Sequence, residues 1–453
     1  MMESTLFRLP DAETPIINSI SQGKPRLNHP NRGQIEWRPV NLDSLLPEDH
    51  EARLVWAWVE QMDLGPLYQP IRSVEGEAGR NAIDPAIFVA LWLYATLNGV
   101  GSARQLESLC EEHLAYMWLC GGVSVNYHSL ADFRVDHQAF LEKLLIESIA
   151  ALRMEGLVSL EQVAQDGKKL RASAGSSSFH RKETLDKHLA QARQQVECLR
   201  QQLEANPNQL SQRQQKAKER AARERQERLK TAKQQLEAME EQAKKSGRAK
   251  QDAKEGKERR TSETDPQARV MKMANGGFNP AYNAQFCTDT QSNLIVAVLV
   301  SQQGNDTGLA SPMLQAVLAS QGKMPAEILA DTSYFSRPEV VAVSQMSCTP
   351  VFALPEKGKA KTEPETRYMP KPTDPPEVAA LRVRMGTEEA QSKLVKRGAV
   401  AELVHTVLDQ FNLSRMRVRG IEKVKTILLW FVLVHNWMRT RLLYKKLALA
   451  TVH

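Results

Sequence analysis

The sequence predicts an α/β protein in which a mixed sheet flanked by helices follows an all-helical domain and is interrupted by a long charged helical insertion. Three observations predict it. Apolar residues recur at three- and four-residue intervals through the first third of the chain. A stretch dominated by Gln, Lys, Arg, Glu and Ala comes next. Strand-type apolar runs then alternate with helical patterns, the signature of helices packed on a sheet.

Residues 1–45 are polar and rich in Pro, Asn and Gly, the composition of a flexible arm. Residues 46–155 form the helical domain. Runs such as Ala86-Ile87-Phe88-Val89-Ala90-Leu91-Trp92-Leu93-Tyr94 carry the helical period, and Gly99-Val100-Gly101-Ser102 and Gly121-Gly122 separate the helices. Trp56, Trp58, Trp92, Tyr94 and Trp118 stand at helical spacing and read as core aromatics rather than base-stacking groups.

Residues 156–174 open the sheet with a strand that ends at Asp166. Residues 175–264 form the insertion, with leucines at Leu185, Leu189, Leu199, Leu203, Leu229 and Leu236. The break at Asn206-Pro207-Asn208 predicts two antiparallel arms of a helical hairpin, and the Lys-, Gly- and Ser-rich stretch from Lys244 to Thr261 predicts a mobile tail. Its charges fit either a solvated spacer or a protruding arm that touches DNA or a second protomer. The remaining residues, 265–453, complete the sheet. Tyr282–Asp289 and Leu294–Val300 make a hairpin around Thr290-Gln291-Ser292-Asn293, and a helix spans Gly308–Ser320. One strand ends at Asp331, another covers Pro350–Pro355, and a long helical pattern opens at Glu402.

A chain of 453 residues favours two or three domains. Sixty Lys and Arg against 53 Asp and Glu leave a net charge of +7, a balance that suits a polyanionic partner. The five cysteines lie far apart with no Cys-x-x-Cys pair, which argues against a zinc site or a disulfide framework and for a reducing cytoplasm. The start of the chain does not read as an export signal, and the longest apolar stretch, Ile427–Val434, is too short to span a bilayer. No membrane role is expected.

Asp166 and Asp331 each close an apolar strand-type run, and Glu402 opens a helix, so a sheet and a helix can bring three carboxylates together. Such a cluster suits two Mg²⁺ or Mn²⁺ ions, hard cations that activate a water and stabilise both the attacking and the leaving oxygen of a phosphodiester. Asp166 would be shared between them. Asp289 and Asp306 read as turn residues, Glu388 and Glu389 as solvated, and His405 as a structural histidine. For backbone phosphates the candidates are Arg417, Arg419 and Lys423 after the glutamate, with Lys168 and Lys169 beside Asp166.

Several motifs carry a resemblance: Asp265-Pro266-x-x-Arg269, Tyr282-Asn283-x-Gln285, Asn305-Asp306, Ala330-Asp331-x-x-Tyr334-Phe335-Ser336, Ala399-Val400-Ala401-Glu402, and Arg417-x-Arg419-Gly420-x-Glu422-Lys423-Val424. In this order the chain resembles the DDE transposases of bacterial insertion sequences. The helical domain, with Tyr127-His128-Ser129-Leu130-x-Asp132-Phe133-Arg134, resembles the DNA-binding domain that precedes their catalytic core. The resemblance implies an RNase H-like core, binding of terminal inverted repeats and target DNA, strand cleavage and transfer by a triad at Asp166, Asp331 and Glu402, and a homodimer on DNA. Many relatives carry a lysine seven residues after the glutamate, where this chain has Asp409. A nuclease without strand transfer and a DNA-binding derivative without catalysis are the other readings.

Overall fold

The computed structural model describes residues 41–73, 81–205, 212–245, 247, 254, 258–355 and 367–450. The arm expected over residues 1–45 thus lies, up to residue 40, outside the described residues, as do the break at 206–208 and most of the tail between 246 and 257.

The helical region comprises α1 (Glu51–Val59), α2 (Gly65–Tyr68), α3 (Pro85–Leu97), α4 (Ala103–Glu112), α5 (Leu114–Cys120), α6 (Tyr127–Asp136) and α7 (Gln138–Met154). Local capping sets their starts. The Asp84 carboxylate accepts from the Ala86 amide at 2.8 Å ahead of Pro85, and Asn126 accepts from Ser129 at 3.0 Å. Helix α3 is buried almost all round, as its unbroken apolar run requires. Trp92 is fully buried and donates its indole N–H to the Leu130 carbonyl, while Trp56, Trp58 and Trp118 pack partly buried against the same core.

The sheet contains β1 (Gln162–Arg171), and the insertion then begins with β2 (Phe179–His180), α8 (Lys182–Ala205) and α9 (Gln212–Lys245) and returns through β3 (Thr261–Ser262). Lys233 pairs with Asp186 and Arg225 bonds Gln195, so the two helices run antiparallel, as the Asn206-Pro207-Asn208 break predicts. Leu185, Leu189 and Ala192 meet Leu229, Ala232 and Leu236 in a small apolar cluster of their own. The β2–β3 ribbon closes the root of the hairpin.

Next come β4 (Arg269–Lys272), β5 (Phe278–Asp289), β6 (Ile295–Ser301), α10 (Ala310–Gln321), β7 (Glu327–Ala330), α11 (Arg337–Gln345), β8 (Thr349–Phe352), α12 (Pro376–Met385), α13 (Glu388–Gln410) and α14 (Ile421–Ala450). The strand order is β4-β5-β1-β7-β8, with β6 also paired to β5. β1 is antiparallel to β5 and parallel to β7, which is parallel to β8. The β5–β6 hairpin turns at Asn293, which takes a left-handed backbone (φ 59°). Two readings shift. Asp166 lies mid-strand, because β1 continues to Arg171, and Glu402 lies mid-helix, because α13 begins at the Thr387 cap. Edge strand β4 and helices α11 and α12 are additional to the predicted elements.

Ile427–Val434 belongs to α14, a core helix held between the helical region and the sheet. Trp430 donates to the Arg134 carbonyl at 3.0 Å, and the Asn436 amide bonds both backbone groups of Ile295. One continuous set of buried apolar residues thus runs from Leu46 to Trp437. Among the described residues no helix is long and apolar enough to cross a membrane.

Candidate active site

Parallel pairing of β1 with β7 matches Val163 to Ile328 and Ala164 to Leu329. Carried two residues further, that register sets Asp166 level with Asp331, the residue that follows β7. Both side chains therefore leave the sheet at the same height. Asp331 caps the short turn that follows, accepting from the Ser333 amide at 2.8 Å and its hydroxyl at 2.6 Å.

Helix α13 packs across β1, β7 and β8 and directs Arg397 and His405, two turns apart, at this point. Arg397 Nη2 lies 2.8 Å from Asp166 Oδ1 and 3.6 Å from Asp331 Oδ2. His405 Nδ1 lies 3.8 Å from Asp166 Oδ2. Burial pushes the Asp166 carboxyl above its ordinary range, opposed by the charges of Arg397 and His405, and burial lowers the His405 imidazole. Arg397 Nε and His405 Nε2 are buried without a hydrogen-bond partner.

A second polar layer supports the first. Asp306 Oδ1 accepts from Asn283 and Gln285, each at 2.7 Å, and Oδ2 lies 3.0 Å from the Ser333 hydroxyl, which thus stands between Asp306 and Asp331. Gln285 Oε1 in turn accepts from Gln165 Nε2 at 2.9 Å. Gly167 is required by this layer: a Cβ there would fall 2.3 Å from Gln285 Nε2 and 2.7 Å from Asp306 Oδ1. Asp306 is therefore more than a turn residue. The alternation Asn283-x-Gln285, two polar side chains on one face of a buried strand, is the sequence signal for it. Asp289 does serve its turn, accepting from the Ser292 amide and hydroxyl.

Glu402 is exposed, three residues before His405 on α13. No hydrogen bond or ion pair joins it to Asp166 or Asp331 among the described residues. The close grouping of His, Asp, Glu or Cys found among them lies elsewhere: His180, His188 and Glu263, at the root of the insertion.

Of the basic candidates, Lys168 is paired with Asp409 at 2.8 Å, Lys169 is partly buried, and Arg417, Arg419 and Lys423 are exposed. The segment before Arg417 adds a bridge to β1, where Met416 N donates to Arg171 O at 2.7 Å and Arg171 N to Ser414 O at 3.2 Å. Beyond it, Asp265 and the Tyr282 hydroxyl both accept from the Gly420 amide at 3.2 Å at the start of α14. Of the motif residues, Asp265, Tyr282 and Gly420 thus fix the end of the basic segment.

Residues 40–136 match the family described as a transposase domain, and residues 254–437 match the family described as a transposase DDE domain. The chain belongs to the DDE transposases of insertion sequences. The transposase's Asp331 and Glu402 fall within the second match, whereas Asp166 lies in the stretch between the two. Its mixed sheet, with helices packed on it, is the RNase H-like core of that family. Neither a curated protein nor a solved structure matches the chain.

Proposed function

We propose that this transposase binds the terminal inverted repeats of its element as a homodimer, and cleaves and joins DNA strands at Asp166, Asp331 and Glu402. The observation that supports the reading best is the pair of level carboxylates, Asp166 and Asp331, gathered around the single cationic group of Arg397. Their oxygen donors suit Mg²⁺ or Mn²⁺, two of which would supply an activated water and stabilise the charge of an in-line displacement. Glu402, on the helix that also carries Arg397, provides the third carboxylate. The Arg397 charge opposes the burial that raises the Asp166 carboxyl. Arg417, Arg419 and Lys423, with Lys168 and Lys169, hold the DNA backbone and place the scissile phosphate.

Asp409 alone would favour a derivative that has lost catalysis, since its charge opposes phosphate. Its pairing with Lys168 neutralises that charge and removes the objection.

A duplex carrying the element's ends, incubated with Mg²⁺ or Mn²⁺, tests the reading against Asp166→Asn, Asp331→Asn and Glu402→Gln. The expected result is cutting and joining by the wild type, lost in each variant while end binding persists. Breaks without joined products would make it a nuclease. End binding without cutting would make it an inactive derivative, and variants that still cut would overturn the assignment of the triad.

A further inference from the structure

A cavity of about 480 Å³ lies between the helical region and the segment joining α13 to α14, lined by Gly101, Arg134, Arg415 and Arg417 among others. Arg134 is only 7% exposed. Its guanidinium sits 4.2 Å from the centroid of the Trp92 ring, and its Nη1 donates to the Gly101 carbonyl at 2.7 Å. Its Nε is buried with no partner, and no carboxylate pairs with it among the described residues. A second guanidinium faces it instead. A Cβ placed on Gly101 would lie 3.8 Å from Arg417 Nε and 3.9 Å from Arg134 Nη1, so the two cations flank the same bare backbone. Burial and the Arg417 charge bring the Arg134 pKa down to about 9.

A buried charge without a counter-ion is unfavourable, and a like charge beside it makes it more so. The ring of Trp92 offsets part of this but leaves the Nε–H unbonded. An oxyanion between the two guanidiniums would satisfy both, since their planar N–H forks match phosphate oxygens. We propose that this cavity binds a phosphate group, held by Arg134 and Arg417 across Gly101, and that a backbone phosphate of bound DNA fills it. The occupant, though not the site, rests on the DNA-binding reading above. Arg134 closes the helical motif that ends in Phe133-Arg134, whereas Arg417 opens the basic motif after Glu402, so one phosphate would be gripped by both halves of the chain. The Ser414–Met416 bridge to β1 ties that grip to the strand bearing Asp166.

The test uses the full-length protein with inorganic phosphate and, separately, with duplex DNA. Phosphate should raise the melting temperature of the wild type and leave that of Arg417→Gln unchanged. Arg417→Gln should weaken duplex binding alike for all sequences and reduce the slope of log affinity against log salt by about 1. Arg417 is exposed, so its replacement spares the core; Arg134→Lys keeps a cation over Trp92 but loses the fork, and it should lose the phosphate response too. Equal phosphate shifts in all three proteins, with duplex affinity and salt slope unchanged in Arg417→Gln, would overturn the proposal. Should phosphate stabilise only the wild type while no duplex is bound, the cavity takes free phosphate: the site stands, and its assignment to DNA falls.

Discussion

Lys168 Nζ and Asp409 Oδ2 lie 2.8 Å apart, joining the strand of Asp166 to the helix of Glu402. Where many relatives carry a helical lysine, this chain sets an Asp409–Lys168 ion pair. Asp409→Asn should free Lys168 and tighten duplex binding, and Lys168→Gln should weaken it and lower the salt slope by about 1. With Asp409 56% exposed, a double-mutant cycle on stability should give less than about 1 kcal/mol of coupling. Anisotropy titrations at several salt concentrations check the first two effects, and urea unfolding checks the third.

Gly167→Ala should damage the site from behind. Its Cβ would collide with the Gln285 amide and Asp306, so one of them must shift, at a cost of about 1–3 kcal/mol. Because Asp306 shares Ser333 with Asp331, cleavage should fall more than DNA binding does. Denaturant unfolding and a cleavage assay on the same preparation separate the two losses.

His435 reports on the core of α14. Its Nε2 donates to the Asn293 carbonyl at 3.0 Å, its Nδ1 is buried without a partner, and burial lowers its pKa from 6.5 to about 4. Between those values the unfolded chain binds the extra proton. Stability is therefore complete above pH 6.5 and is lost as pH falls towards 4, by an amount on the order of 3 kcal/mol. His435→Gln, which cannot titrate, should flatten that part of the profile. Urea midpoints measured across the window give the comparison.

Leu236→Ala should loosen the helical hairpin while sparing the catalytic core, because Leu236 belongs to a separate apolar cluster. The loss in the hairpin should be about 2–5 kcal/mol. Amide exchange would show faster opening confined to α8 and α9; equal acceleration in β1 would mean that the two regions unfold together.

The sequence made the strand-type runs, the hairpin turn at Asn293 and the antiparallel insertion legible, since each rests on local periodicity or on a local break such as Asn206-Pro207-Asn208. It also singled out Asp166 and Asp331, because an aspartate among buried apolar residues is conspicuous. The limits of β1 and α13 were less legible: Gly167-Lys168-Lys169 looks like a break until β5 is seen to pair with it, and the Glu388 end of α13 is too polar to show a face. Arg397 escaped notice, and Asp306 and His405 read as turn and structural residues, because their roles depend on which strands are neighbours. That relation between distant segments leaves no trace in the spacing of any one of them. Arg134 stood only as the last residue of a motif, since an arginine at the end of a helix is ordinary until its surroundings are known.

The two-residue ribbon of Phe179–His180 with Thr261–Ser262 brings both ends of the insertion to a common foot, reinforced by His188 against Glu263 at 2.9 Å. The core strands meet the insertion at this foot and just above it, where Arg269 of β4 donates to Gln235 of α9 at 2.7 Å. Each residue pair added to or taken from the two helices alters the arm's reach by about 1.5 Å and leaves the positions of Asp166 and Asp331 unchanged. The arm is in effect an adjustable ruler on a fixed base, whose length natural variation or engineering can change without touching the chemistry.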